Sequence, residues 1–400
     1  MHEHFLLGAG LVLGALALAG LLFLRLRQSV IPAFILLGLA LHSEHFDPRM
    51  VDAISTLGVV LLLFSMGLEF SLGALLRNRR QILGTGAIDF LCAFPIGLGA
   101  GLLLGVGWAG ALLFAGAFYI SSSAIIAKSI IELRRAADPE TEVGLGVLVF
   151  EDIAIALFLA VLSGAVLVAA PSVGGIAWGA GKALLFFGVV VFIAVRARSL
   201  LDRLLDIGND DLFLLLVGGI VLLLAWGALE AGLSEAIGAF LAGLALAETR
   251  HRERAERLFA PLQGVFAAIF FFGFGLSIDP STFGEVWIPA IVLVILAVGV
   301  KLLGGWIAGR THGLDKRSAL ALGLMLVARG EFSIILAGIA VSIGLEELGV
   351  LIAILVLALS LLGTVGLQYA PQITRWVFPR KAPRSLEERG FSPELAGGEE

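Results

Sequence analysis

The sequence predicts an all-α polytopic membrane protein of about 13 transmembrane helices, and three observations carry that prediction. Hydrophobic residues make up 59% and charged residues 15% of the 400, where soluble domains are roughly 45–50% apolar and about 25% charged. The apolar residues fall into repeated runs near the ~20 residues that cross a bilayer as a helix. Arginine and lysine gather in every second loop. This pattern excludes a secreted enzyme, a nucleic-acid-binding protein and a disordered scaffold, and makes the lipid bilayer the surrounding medium. The single cysteine, Cys92, excludes an intramolecular disulfide and any Cys-rich metal site. The net charge of −5 says less than where the charges sit.

In chain order the runs cover 4–24, 29–42, 55–73, 81–105, 109–131, 143–168, 176–195, 212–229, 233–249, 262–278, 287–309, 318–342 and 348–370. The first is followed by Arg25 and Arg27 and has no basic residue before it, which marks a span and not a cleaved signal peptide. The second is the shortest and carries Pro32. Between the fourth and fifth, Gly105-Val-Gly107-Trp-Ala-Gly110 fits the letters of a dinucleotide fingerprint but lacks any βαβ context. Gly97, Gly101 and Gly105 are spaced for close helix packing. After the seventh run, leucines 200, 201, 204 and 205 predict a short interfacial helix within the connection 196–211, a natural hinge between two halves. The tail 379–400 is charged and rich in Pro and Gly and is expected to be disordered.

Positive charge is retained on the cytoplasmic side. With the N-terminus outside, the inside loops hold Arg25/Arg27, Arg77/Arg79/Arg80, Arg134/Arg135, Arg196/Arg198/Arg203, Arg250–Arg257 and Arg310/Lys316/Arg317. The C-terminal tail, also inside, adds five more, and the outside loops hold only Arg49. The run Arg250–Arg257 reads as a face toward anionic lipid or, less readily, a protein-docking surface. His42 and His45 read as part of a solvated outer loop. The basic residues left over, Lys128, Lys182, Lys301 and Arg329, fall within spans.

An ionisable group at membrane depth costs about 2.5–3.5 kcal/mol on insertion scales and is a functional signal by default. Glu151 and Asp152 lie near the middle of the sixth run. Neighbours on a helix point about 100° apart, so one carboxylate can meet a structural partner while the other faces a cavity. Lys301, in the middle of the eleventh run, is the natural partner. Asp89 in the fourth run has two equal readings, a buried hydrogen bond or a role in proton access. Lys182 sits near a span end, where it can snorkel. Two spans are interrupted by polar residues: the fifth at Ser121-Ser122-Ser123 and the twelfth at Arg329-Gly330-Glu331. Such breaks are tolerated only when buried in protein or lining a cavity. They lie seven spans apart and so cross in opposite directions. That is the signature of inverted repeats with two crossing discontinuous helices, and it predicts Ser122 close to Gly330. Lys128, Arg329 and Glu331 are candidates to offset the facing helix dipoles.

The runs Leu57–Phe70, Ser121–Lys128, Phe150–Ala154, Leu233–Gly243, Phe271–Asp279 and Ala328–Ser333 together resemble the monovalent cation:proton antiporter-2 family of bacterial potassium/proton and sodium/proton exchangers. The resemblance implies a homodimer in a prokaryotic inner membrane, multi-pass, with the N-terminus outside and the C-terminus cytoplasmic. It implies a membrane exchanger domain over 1–378. Within it, spans at about 4–73 and 212–278 would form the dimer scaffold, spans at about 81–168 and 287–370 the ion-carrying core, and 176–195 the linker. It further implies elevator-like alternating access with Asp152 as the shared cation and proton ligand, and no enzymatic activity or cofactor. Asp152, Glu151, Ser121 and Ser122 are then the expected cation- and proton-binding residues, with neutral oxygens suited to a hard cation. Lys301, Lys128, Arg329 and Glu331 supply supporting charge, and no metal is expected beyond the transported K⁺ or Na⁺. Phe150-Glu151-Asp152 and Arg329–Ser333 look closer to two-component potassium antiporters, which favours K⁺ modestly. Many potassium members carry a C-terminal nucleotide-binding domain that does not follow here, so such gating would come from a separate cytoplasmic subunit. The alternatives are a cation channel and a transport-inactive ligand sensor on the same fold.

Overall fold

The computed structural model describes residues 2–26, 28–41, 48–69, 79–166, 198–231, 235–277, 283–379 and positions 181, 182, 185, 186, 188–190, 192 and 196. Fifteen helices are present among the described residues. The first three spans are α1 (His2–Arg25), α2 (Val30–Ala40) and α3 (Pro48–Glu69). The fourth is α4 (Arg79–Leu103), the fifth is divided into α5 (Gly107–Tyr119) and α6 (Ser123–Glu132), and the sixth is α7 (Pro139–Val166). The described positions between 181 and 196 are helical. Next come the short α8 (Arg198–Leu204), then α9 (Asp210–Glu230), α10 (Glu235–Ala247), α11 (Arg252–Ser277) and α12 (Phe283–Thr311). The twelfth span is divided into α13 (Lys316–Met325) and α14 (Glu331–Ser342), and α15 (Glu346–Val377) is the thirteenth. His42, His45, Arg77 and the tail from 380 lie outside the described residues.

Local chemistry sets several of these ends. Asn209 and Asp315 cap α9 and α13 by accepting from the N–H of Leu212 at 2.9 Å and of Ser318 at 2.7 Å. Pro139 opens α7, where its missing N–H is no loss. α11 begins ten residues before the apolar run, because Arg252-Glu253-Arg254-Ala255-Glu256-Arg257 are mostly strong helix formers and Arg252 pairs with Glu256 at i,i+4, 2.7 Å apart. Gly105 departs from the close-packing expectation. It sits in the α4–α5 turn at φ +72° with no atom near its absent side chain, a left-handed position that suits glycine. Gly101 does pack, against Ala111 of α5.

Two bundles result. α2, α3, α9, α10 and α11 pack on one another, while α4, α5, α7, α12, α13, α14 and α15 form the other. In the first bundle two crossings bring glycines into backbone contact. A Cβ on Gly38 would approach the Cα of Gly275 to 2.9 Å, and one on Gly67 would approach the Cα of Gly243 to 3.0 Å. These join the second span to the tenth and the third to the ninth. A seven-span inverted repeat carries second to ninth and third to tenth, so it exchanges one crossing for the other. The repeat is therefore visible in packing as well as in the paired breaks.

α8 is clasped to the turn between α10 and α11, where the Arg250 N–H donates to Asp202 Oδ1 at 2.9 Å, and the residues that follow α8 join in. Arg250 pairs with Asp206 at 2.6 Å, Arg254 with Asp210 at 2.6 Å, and the Arg254 guanidinium lies 4.4 Å from the centre of the Phe213 ring. Three arginines of the basic run thus meet carboxylates of the protein itself, leaving it far less cationic than its sequence suggests. Leu200 and Leu204 of α8 face outward, and Leu205 just after it is buried.

Candidate functional site

The broken spans meet at their breaks. Residues 120–122 leave the helix after α5, and 326–330 leave it after α13. The Ser122 N–H donates to the Ala328 carbonyl at 2.9 Å, which ties one break to the other. Gly330 lies directly against Ser122: a Cβ there would collide with the serine hydroxyl and come within 2.7 Å of its Cβ. The two interrupted helices therefore cross in contact, with four half-helix ends converging.

Charge at the crossing follows the helix dipoles. The Arg329 guanidinium, fully buried, donates to the Phe118 carbonyl at 2.6 Å and to those of Leu326 and Val327 at 3.0 and 3.1 Å. It thus caps the carbonyl ends of α5 and α13 together. Glu331 opens α14, and its Oε2 accepts from the Ser122 hydroxyl at 2.8 Å, just before α6. A cation at the C-terminal ends and an anion at the N-terminal ends both have the favourable sign. Ser333 donates to the Ala117 carbonyl at 2.9 Å and adds a further link. Lys128 is on α6, but its side chain lies outside the described residues.

α7 passes beside this crossing and presents its two acids in different directions. Glu151 is fully buried. Its Oε2 accepts from the Ser121 N–H at 2.6 Å, its Oε1 lies 3.0 Å from the Ser121 hydroxyl, and the Lys301 ammonium is 2.6 Å from Oε1. Lys301 has a second carboxylate, Asp89 of α4, whose Oδ2 is 2.7 Å away. The Tyr119 ring stands 5.0 Å from the same nitrogen. An ammonium has three donors, and here two carboxylates and an aromatic face surround it. Asp152 is only half-buried, with Oδ1 3.5 Å from the Ser123 hydroxyl.

This arrangement sorts the serines differently from the sequence reading. Ser121 is engaged with Glu151 and with the Leu326 carbonyl at 2.9 Å, and Ser122 with Glu331, so it is Ser123 that stands beside Asp152. The physical reason is helix geometry: 121 and 122 lie in the non-helical link, whereas 123 opens α6 and projects from its first turn toward α7. Asp89 is the site residue whose place the sequence left most open. Its signal was an acid at membrane depth; that it shares Lys301 is a matter of how α4 lies against α12.

Known proteins extend this picture. Residues 12–368 match the family model described as sodium/hydrogen exchanger, transmembrane. The chain is 37% identical over 389 residues to the K(+)/H(+) antiporter subunit KhtU of Bacillus subtilis, covering 93% of this chain and 95% of that one. It is 32% identical over 388 residues to the ammonium/H(+) antiporter subunit AmhT of Alkalihalophilus pseudofirmus, covering 96% and 97%. Among solved structures, the sodium proton antiporter MjNhaP1 of Methanocaldococcus jannaschii superposes with a TM-score of 0.71 at 16% identity, over 95% of this chain and 100% of that one. That likeness is one of fold.

Proposed function

The chain belongs to the sodium/hydrogen exchanger family, and from that premise we propose a secondary active antiporter that exchanges a monovalent cation for protons, with K⁺ somewhat favoured over Na⁺. Asp152 is the shared ligand. A single carboxylate that holds either a cation or a proton makes the two occupancies mutually exclusive, and exclusivity at one site is what couples the two fluxes. The observation that carries the reading is the contrast between neighbours on α7: Glu151 is buried on Lys301 and Ser121, while Asp152 is half-buried at the crossing beside Ser123. The hydroxyl of Ser123 and the carbonyls at the breaks are neutral oxygens suited to a hard monovalent cation. Preference for K⁺ is supported by the name of the Bacillus relative. The name of the Alkalihalophilus relative adds ammonium, an ion of similar size and charge, as a substrate to test.

In this reading the bundle of α2, α3 and α9–α11, with α1, is the scaffold of a homodimer in a prokaryotic inner membrane. The other bundle is the core, which moves against it like an elevator, and 176–195 is the link. The N-terminus is outside and the C-terminus cytoplasmic, on the placement of basic loops. Both relatives are named as antiporter subunits, which supports a separate cytoplasmic partner for this chain. The test is proton flux in proteoliposomes on adding K⁺, Na⁺ or NH₄⁺ separately. The expected result is the largest flux with K⁺ and none in Asp152→Asn, with expression and dimerisation retained. Substantial cation-driven flux through Asp152→Asn would remove Asp152 from this role.

A further inference from the structure

Asp89 is an acid at membrane depth to which the exchange reading gives no task. It sits on α4 where that helix packs on α12, and both it and Lys301 are 0% exposed. Its Oδ2 accepts a hydrogen bond from the Lys301 ammonium at 2.7 Å, and Oδ1 has no hydrogen-bond partner among the described residues. Lys301 thus meets two carboxyl groups on two helices, Asp89 on α4 and Glu151 on α7. Glu151 in turn reaches the crossing through the N–H and hydroxyl of Ser121. The result is one chain of contacts, Asp89–Lys301–Glu151–Ser121, that starts on the wall formed by α4 and α12 and ends at the break. Asp152 follows Glu151 in the same helical turn, so whatever fixes the rotation of α7 at Glu151 fixes the direction of Asp152.

We propose that Asp89 is a positioning residue for exchange: it anchors Lys301 on the α4–α12 wall and thereby holds α7 in the rotation that aims Asp152 at Ser123. The proposal rests on Asp152 being the exchange site. With Asp89 in place the ammonium is held from two sides. Without it the ammonium has only Glu151 as a carboxylate partner, and Glu151 keeps its contacts with Ser121 on one side but loses a fixed support on the other.

The experiment compares Asp89→Asn, Asp89→Glu, Lys301→Gln and the double variant Asp89→Asn with Lys301→Gln, each as full-length purified protein. In proteoliposomes, Asp89→Asn raises the apparent KM for K⁺-driven proton flux roughly tenfold, the factor corresponding to loss of one charge-assisted hydrogen bond, while maximal flux changes little. Asp89→Glu recovers part of that loss. Melting temperature provides an independent readout through its sign. Asp89→Asn lowers it in the otherwise unchanged protein. The same substitution raises it in the Lys301→Gln background, where Asp89 would be a stranded charge. An unchanged KM in folded Asp89→Asn, or a melting shift of the same sign in both backgrounds, overturns the proposal. If Asp89→Asn alone does not fold, the comparison of Lys301→Gln with the double variant still decides it: a double variant no more stable than Lys301→Gln overturns it. Flux surviving in Asp152→Asn would instead strike the exchange reading, and the melting comparison would still report on Asp89 and Lys301.

Discussion

The two bundles meet the same difficulty in opposite ways. Lipid tails are as apolar as leucine, so helices in a bilayer gain little from the hydrophobic effect by associating. The bundle of α2, α3 and α9–α11 answers with backbone contact: Gly38 on Gly275 and Gly67 on Gly243 bring helix axes close enough for dispersion to hold them. Its ion pairs, such as Arg254 with Asp210, stay at the rim. The other bundle also uses small residues, Gly101 against Ala111 for one, but it adds charge at depth. Every buried Asp, Glu, Lys and Arg among the described residues belongs to it: Asp89, Arg135, Glu140, Glu151, Lys301, Arg329 and Glu331. One bundle is therefore close-packed and chemically quiet. The other accepts the cost of desolvated charge and gathers Glu151, Arg329 and Glu331 around the breaks of the interrupted helices.

This contrast is sharpest at Lys301. Lys301→Ala leaves Asp89 and Glu151 facing each other without a cation, and removing one member of a buried ionic group costs about 3–5 kcal/mol. The double change Glu151→Gln with Lys301→Gln strands one acid instead of two and is expected to be less damaging. Thermal unfolding in detergent measures both, and a Lys301→Ala protein as stable as its parent would break the comparison. Gly330→Val comes next. Its side chain would be driven into Ser122, and such overpacking costs about 1–3 kcal/mol. Because it separates the two breaks, exchange should fall further than stability does; parallel losses would mean that the crossing is merely structural.

In the quiet bundle, Gly243→Leu should cost a similar about 1–3 kcal/mol, since its Cβ meets the backbone of Phe64 and Gly67. The variant that does fold should keep the parental KM for cation, because the added side chain points at α3 and not at α7. A changed KM would show that the bundles are not independent. The smallest effect is expected at the rim. Asp210→Asn removes a half-exposed pair with Arg254, worth about 0.2–1 kcal/mol at low salt, and the difference should shrink as ionic strength rises.

Much of this protein can be read from its sequence, and the reason is the bilayer. Span number follows from run length, because a helix must cover the hydrocarbon thickness. The breaks at Ser121–Ser123 and Arg329–Glu331 stood out because polar backbone and charge at that depth admit few explanations. Glu151 and Lys301 could be paired on the same ground, each being costly alone. The same uniformity hides the rest. A helix apolar on every side has no face to read, so its rotation and neighbours are not encoded in periodicity. That is why Asp89, 212 residues from Lys301 in sequence, had two equal readings, and why Ser121 and Ser122 were favoured over Ser123. It is also why the partners of Gly38 and Gly67 had no signature. Hydropathy and charge placement along the chain determined which segments cross the membrane and which carry chemistry. Which side chains meet was decided by the packing of helices on helices, where contacts made over a few ångströms select one rotation from many of equal hydropathy.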